Sequence, residues 1–251
     1  MNKDFSKNTA KIISQKIDMD WIHPYKNKKE VSSIGTGFFI DNKGHLLTNS
    51  HVIVNSKKIY IELPYLGSKK IEVKIINLCP KLDIALLKTI NFINEDHYEI
   101  YDKDFLYNLE IGCDAYVVGF PLGQDNIKIT KGIISGRENS LIQTDTAINP
   151  GNSGGPMLVN NKVIGIVTSG IQRASNVSYA TPISYFHLIK ELLFNQKEKI
   201  IKLPFLGLIY QNSTKELNFL NNNNKSEGIY VQKIFKNSPI SKTGLKTGDI
   251  I

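Results

Sequence analysis

Apolar and polar residues alternate along Ile59-Tyr60-Ile61-Glu62-Leu63, Ile71-Glu72-Val73-Lys74-Ile75 and Ile127-Lys128-Ile129-Thr130. A period of two belongs to a strand with one face buried. Ile84-Ala85-Leu86-Leu87, Ala115-Tyr116-Val117-Val118 and Val163-Ile164-Gly165-Ile166-Val167 are short, continuous apolar runs, as suits strands buried on both faces. Asn42-Lys43-Gly44 and Asn160-Asn161 fall between apolar runs, where hairpin turns belong. Many short strands separated by turn signals predict an all-β barrel or sandwich. One helix stands apart. Phe186, Ile189 and Leu193 recur at helical spacing, Ser184 is placed to cap them, and the pattern runs to about Lys199 before Pro204 breaks it. This change predicts a domain boundary near 195–203. Beyond it, Asn221 to Asn224 read as a polar loop, and Gly228-Ile229-Tyr230-Val231 begins another strand. No internal repeat is visible.

Composition narrows the class. The chain has 251 residues and a net charge of +8, with 41% hydrophobic and 22% charged residues, which is ordinary globular composition. The two cysteines, Cys79 and Cys113, exclude a disulfide scaffold and read as small buried hydrophobes. A metal site would need more Cys or His at ligand spacing, so neither metal nor cofactor is expected. No apolar run is long enough to span a bilayer. The charge is uneven: residues 1–30 carry +3, residues 190–251 carry +5, and 31–189 are neutral. Nearly all of it is Lys, since Arg137 and Arg173 are the two arginines. A base-reading surface favours the planar Arg fork, so a nucleic-acid partner is not expected. The ends read instead as Lys-rich solvated surface, and the acidic run from Glu95 to Asp114 as an exposed loop. Residues 1–30 contain no apolar leader segment. The compartment is therefore open: the protein works where it is made, or a leader lies outside this sequence.

The sharpest chemical signal is Asn149-Pro150-Gly151-Asn152-Ser153-Gly154-Gly155-Pro156. A serine among glycines can stand on a tight loop with backbone N–H groups free to stabilise an oxyanion. A turn in which Ser153 only caps backbone is the competing reading. Gly151-x-Ser153-x-Gly155 also fits the nucleophile elbow of α/β-hydrolases. That fold requires a helix directly after the serine; Pro156 and strand-like runs follow here, and His187 is the only histidine downstream. Of the five histidines (His23, His45, His51, His97, His187), His51 stands in Leu46-Leu47-Thr48-Asn49-Ser50-His51-Val52, at the end of an apolar strand, where a side chain can reach a cleft. Asp83 opens the apolar Ile84–Leu87 run. An acid there is costly unless paired, and a histidine N–H would pair it and fix the tautomer; alternatively it caps a turn after Pro80-Lys81. The order His51, Asp83, Ser153 is that of the chymotrypsin-type double barrel.

Gly35-Thr36-Gly37-Phe38-Phe39-Ile40, Leu47 to Val52, Leu82 to Leu87 and Thr144 to Pro156 together resemble the HtrA (Deg) serine proteases. The resemblance runs from about residue 31 to the end of the chain; residues 1–30 match loosely. It implies two six-stranded antiparallel β-barrels with the site between them, a short helix, and then a partial PDZ domain. The corresponding domains are an N-terminal segment (1–30), a trypsin-like protease domain (31–200) and the partial PDZ (203–251). It also implies Ser153 as nucleophile, His51 as general base then acid, and Asp83 as orienter. The oxyanion hole is expected in Gly151-Asn152-Ser153, from the N–H groups of Gly151 and Ser153. Backbone of Thr168, Ser169 and Gly170 would pair with extended substrate. The primary pocket would be floored by Ala147 and walled near Val177 to Ala180. Neither place holds an Asp, so cleavage is expected after small or aliphatic residues. Asn152 stands where digestive relatives carry an acid that pairs with a new N-terminus. Control is therefore expected from loops that order the oxyanion hole: Pro121 to Asn126, Arg137 to Ser140 and Gly170 to Val177.

Pro204-Phe205-Leu206-Gly207-Leu208, Gly228 to Val231, Asn237-Ser238-Pro239 and Gly244 to Ile251 resemble the first half of a PDZ domain, with Phe205, Leu206, Gly207 and Leu208 as its carboxylate-binding loop. A piece that short buries little core, so fraying and weak peptide affinity are expected. The implied partners are unfolded or misfolded polypeptides and, by family habit, two further copies in a homotrimer. A catalytically weak peptide-binding or chaperone-like homologue is the alternative.

Overall fold

The computed structural model describes residues 4–18, 29–138, 140–170, 176–220 and 228–251. His23, most of the Gly170–Val177 stretch and Asn221–Asn224 lie outside them. The chain divides into two compact units, 1–201 and 202–251.

The first unit holds two closed six-stranded antiparallel barrels. Strands β1 (Thr9–Asp18), β2 (Lys29–Phe39), β3 (His45–Thr48), β4 (Ser56–Glu62), β5 (Ile71–Cys79) and β6 (Ile84–Thr89) build the first, in the order β1-β2-β3-β6-β5-β4. Between β3 and β4 sits a one-turn helix, α1 (Ser50–Ile53). Strands β7 (Asp114–Gly119), β8 (Lys128–Glu138), β9 (Leu141–Thr144), β10 (Pro156–Val159), β11 (Lys162–Gly170) and β12 (Ser178–Pro182) build the second, in the order β10-β11-β12-β9-β8-β7. Read from its own first strand, the second order repeats the first. The fold thus contains a repeat that residue identities do not show. A barrel requires only that side chains alternate between core and outside, and many sequences satisfy that.

The alternating and apolar runs fill the two cores as their periods imply. Ile59, Ile61, Ile71, Val73 and Leu87 pack in the first barrel, and Val117, Ile142, Met157, Ile164 and Val167 in the second. Both turn signals hold. Gly44 has φ of 84°, and Asn160 and Asn161 have φ of 49° and 63°, the doubly positive pattern of a tight hairpin.

Three expectations are corrected. Of residues 1–30, the described stretch Thr9–Asp18 does not stand apart, because β1 pairs with β2 over its whole length and with β4, closing the first barrel. Its pattern hid this: Lys11 and Ser14 are buried beside Ala10 and Ile12. The helix, α2 (Ile183–Asn195), starts directly after Pro182, which leaves Ser184 inside it rather than capping it. It ends at Asn195, where Asn77 of β5 donates its amide to the Leu193 carbonyl at 2.9 Å. Cys79 is buried, but Cys113 is only partly so, packed at the edge of the second core.

The second unit pairs β13 (Leu208–Asn212) with β14 (Ile229–Ile234) and carries a short helix, α3 (Lys215–Leu220). Tyr230 also bridges to Ile250. Among the described residues, no helix is long and apolar enough to cross a membrane.

Candidate active site

Two turns deliver the polar groups of the site. After β3, Asn49 leads into α1, whose single turn carries His51 out to a half-exposed position while Val52 and Ile53 stay buried. Before β6, the turn from Pro80 closes with the Asp83 N–H on the Pro80 carbonyl at 3.2 Å. It leaves Asp83 in the left-handed region, φ 54°. Asp and Asn tolerate that conformation best among residues with a Cβ. Asp83 therefore closes the turn and pairs with histidine; the two readings of it are not exclusive.

Four donors converge on the Asp83 carboxylate. Oδ2 accepts His51 Nδ1–H at 2.7 Å and the Thr168 hydroxyl at 2.9 Å. Oδ1 accepts the Ser50 hydroxyl at 2.8 Å and the His51 backbone N–H at 3.0 Å. Asn49 adds a bond to the Asp83 carbonyl at 2.9 Å. Burial pushes the Asp83 carboxyl up, but the bonds from His51 and Ser50 and the charge of His51 outweigh it and hold it below the ordinary range. An ionised carboxylate only accepts, so Nδ1 carries the proton and Nε2 is the basic nitrogen facing the cleft.

Ser153 lies on the loop between β9 and β10, clamped to the first barrel through Thr36 of β2. The Thr36 N–H donates to the Ser153 carbonyl at 2.8 Å, and its hydroxyl donates to the Gly151 carbonyl at 2.7 Å. Gly154 packs so closely that a Cβ there would lie 2.1 Å from the Thr36 carbonyl oxygen. The Ser153 hydroxyl donates to the Thr168 carbonyl at 3.2 Å. Thr168 itself is the extra residue of a β-bulge: the β11–β12 register jumps from Val167 to Ser169 there. Such a bulge re-aims a side chain, and here the hydroxyl reaches Asp83 while the carbonyl meets Ser153. Thr168 thus links acid and serine. The sequence around Thr168 points to its backbone alone; the side-chain contact depends on the bulge.

Among the described residues, the N–H groups of Gly151 and Ser153 donate to no group of the chain. Asn152 differs: its N–H is taken by the Asn149 carbonyl at 3.0 Å, which removes it from the expected oxyanion set. The Pro150 carbonyl accepts the Leu122 N–H at 2.6 Å. Because the peptide is planar and trans, that bond turns the Gly151 N–H the opposite way. Gly151, with φ 102°, can adopt this geometry, and a Cβ there would lie 2.2 Å from the Phe120 carbonyl oxygen.

The remaining expected residues are placed as follows. Ala147 is exposed, with its carbonyl taking the Thr130 hydroxyl at 3.1 Å; Val177 is half-buried and Ala180 buried. The backbone of Ser169 and Gly170 continues β11. In the separate second unit, Phe205 and Leu206 are exposed, Phe205 packs edge-on to Phe235, and Gly207 adopts φ 90° before β13. Three other histidines are held elsewhere: His45 by Asp41 and Phe194, His97 by the Glu95 carbonyl, and His187 by the Tyr101 carbonyl. The His45–Asp41 pair matches His51–Asp83 in chemistry, but His45 is largely buried against Phe194. Among the described residues, no cluster of His, Cys, Asp or Glu could hold a metal.

Residues 35–166 match the model of the trypsin-like peptidase domain. The chain is 32% identical over 236 residues to a probable periplasmic serine endoprotease, DegP-like, of Pseudomonas putida, covering 89% of this chain and 47% of that one. A protein of the same description from Hahella chejuensis is 32% identical over 243 residues, covering 91% and 50%. The chain spans about half the length of these curated relatives. Among solved structures, the HtrA-type protease AlgW with a tripeptide superposes with TM-score 0.79 at 25% identity, over 98% of this chain and 78% of that one. Two barrels with this strand order, the four-donor carboxylate beside histidine, and the match over residues 35–166 together assign the chain to the trypsin-like peptidase family.

Proposed function

We propose that this chain cleaves polypeptides by a Ser-His-Asp acyl-enzyme route. The observation that carries the reading is the fully occupied Asp83 carboxylate fixing His51, with two unbonded N–H groups beside Ser153. Ser153 Oγ swings from the Thr168 carbonyl to His51 Nε2, gives up its proton there and attacks the scissile carbonyl carbon. The oxyanion forms between the N–H groups of Gly151 and Ser153. The imidazolium, stabilised by Asp83, returns the proton to the leaving amine; water then repeats the sequence to release the acid. Past the β10 pairing, Thr168 to Gly170 offer one edge of β11 for strand addition by extended substrate. Ala147, without charge, favours small or aliphatic side chains before the cut. Unfolded or misfolded polypeptides fit these needs, since the reaction takes an extended segment.

One feature rests on the relatives: an extracytoplasmic place of action follows the periplasmic naming of the DegP-like proteins. Two more rest on the sequence resemblance alone: the second unit as the first half of a PDZ domain, and a homotrimer as the assembly. A fluorophosphonate should label the wild type at Ser153 and not Ser153→Ala, and casein degradation should vanish in that variant. Degradation that survives Ser153→Ala would sink the mechanism. The direction of the Ser153 hydroxyl, toward Thr168 rather than His51, favours a second reading: a weak peptide-binding or chaperone-like homologue. A labelled enzyme that protects unfolded protein yet never degrades it would support that one.

A further inference from the structure

Lys11 is the buried charge that the mechanism leaves unused. Its side chain is 7% exposed, and its ammonium lies 2.9 Å from Asp125 Oδ1 and 3.9 Å from Glu62. Burying an ammonium is unfavourable unless anionic partners compensate it. Glu62 faces it from the neighbouring strand; Asp125 comes from the second barrel, in the loop after β7. We infer that Lys11 is a positioning residue for the oxyanion site, an inference that rests on the proposed catalytic reading.

Position in the sheet supplies the argument. Lys11 pairs in register with Thr36 on one side and with Glu62 on the other. Cross-strand partners share a face, so Glu62, Lys11 and Thr36 form one row. Both ends of the Gly151 backbone are tied to that row. The Thr36 hydroxyl holds the Gly151 carbonyl directly. Lys11 holds Asp125, and three residues earlier in the same loop the Leu122 N–H holds the Pro150 carbonyl. That second bond sets where the Gly151 N–H points.

The loop does not explain its own shape. Leu122 adopts φ 57° and is 71% exposed. A left-handed leucine is strained, and this one gains little from burial. The backbone of Gly123 leans on Ile34 of β2, where a Cβ would lie 2.7 Å from Ile34 Cδ1. Lys11–Asp125 is the ionic tie across the barrels at this point. An exposed ion pair contributes little, but here one end is buried and held by strand register. Its loss frees the loop, and with it the Pro150–Gly151 peptide.

The test uses the full chain and a peptide ester ending in valine. Asp125→Asn, at an exposed position, and Lys11→Met combined with Glu62→Gln, which avoids stranding a carboxylate, should each lower kcat by about tenfold with KM little changed. Affinity for a valine-ending peptide boronate, whose tetrahedral adduct fills the oxyanion site, should fall in parallel. Lys11→Arg should restore most of the rate. Combining Asp125→Asn with the Lys11 and Glu62 changes should cost no more than either alone, because both cut one tie. Unchanged kcat in Asp125→Asn, or a loss confined to KM, overturns the assignment. A wild type that a fluorophosphonate does not label overturns the catalytic reading beneath it. A labelled wild type with unaffected variants overturns only the role of Lys11.

Discussion

Asp83 shows how one residue can answer two demands. Its backbone must turn through the left-handed region, and its carboxylate must take four hydrogen bonds. Asn meets the first demand and fails the second, so Asp83→Asn should fold but place the wrong tautomer on His51. We expect kcat to fall by roughly 10⁴, measured on the peptide ester. The depressed Asp83 pKa also has a sign. Folding favours the ionised form, so the contribution to stability is full above the unfolded value and is lost as pH falls through the lower folded value. The melting-temperature gap between wild type and Asp83→Asn should be present at pH 7 and close as pH falls below the ordinary carboxylate range. A gap that widens on acidification would contradict the burial and bonding described. Thr168→Val tests the bulge residue. It keeps the shape and the carbonyl, removes one bond to a charged acceptor, and should cost about 1.5–3 kcal/mol in transition-state stabilisation at most, read as kcat.

At the scale of elements, α2 illustrates a stop signal that lies far away in sequence. A helix leaves its last carbonyls without partners, and here Asn77, from a strand of the first barrel, reaches Leu193 and, more distantly, Leu192 and Gln196. Asn77→Ala should therefore lower the urea midpoint, by about 1–3 kcal/mol of stability, since the buried Leu193 carbonyl loses its donor. The expected run to Lys199 has a local cause: Gln196-Lys197-Glu198-Lys199 are all good helix formers, and nothing in them marks the end. The start of the helix is set by its neighbour in the same way. Ser184 is a good cap by type, but the strand β12 runs directly into the helix through Pro182.

For the whole molecule, the +8 charge takes on a different meaning at each end. The basic N-terminal stretch, read as solvated surface, includes Lys11, whose ammonium is buried between the barrels. Residues 1–201 contain both barrels and close both cores without the second unit. Made alone, they should unfold as one cooperative unit and keep peptide-ester cleavage within about an order of magnitude. Denaturation by calorimetry and the ester assay check this together.

Periodicity and motif were enough for the all-β class, most strand positions, both hairpin turns, and the pairing of His51 with Asp83. These are local properties: alternation reflects which face is buried, and Gly, Asn and Asp mark the backbone turns only they adopt at low cost. What the tertiary structure decided depends on groups brought together from far apart. Strand β1 joins the barrel despite a buried lysine because Asp125 and Glu62 compensate it. Thr168 turns its hydroxyl to Asp83 because a bulge shifts the register. The Asn152 N–H is taken by the Asn149 carbonyl, and the Leu122 N–H holds the carbonyl of Pro150 from another loop. Each outcome is the pairing of a polar group with a distant partner, and pairing carries no period that a sequence displays.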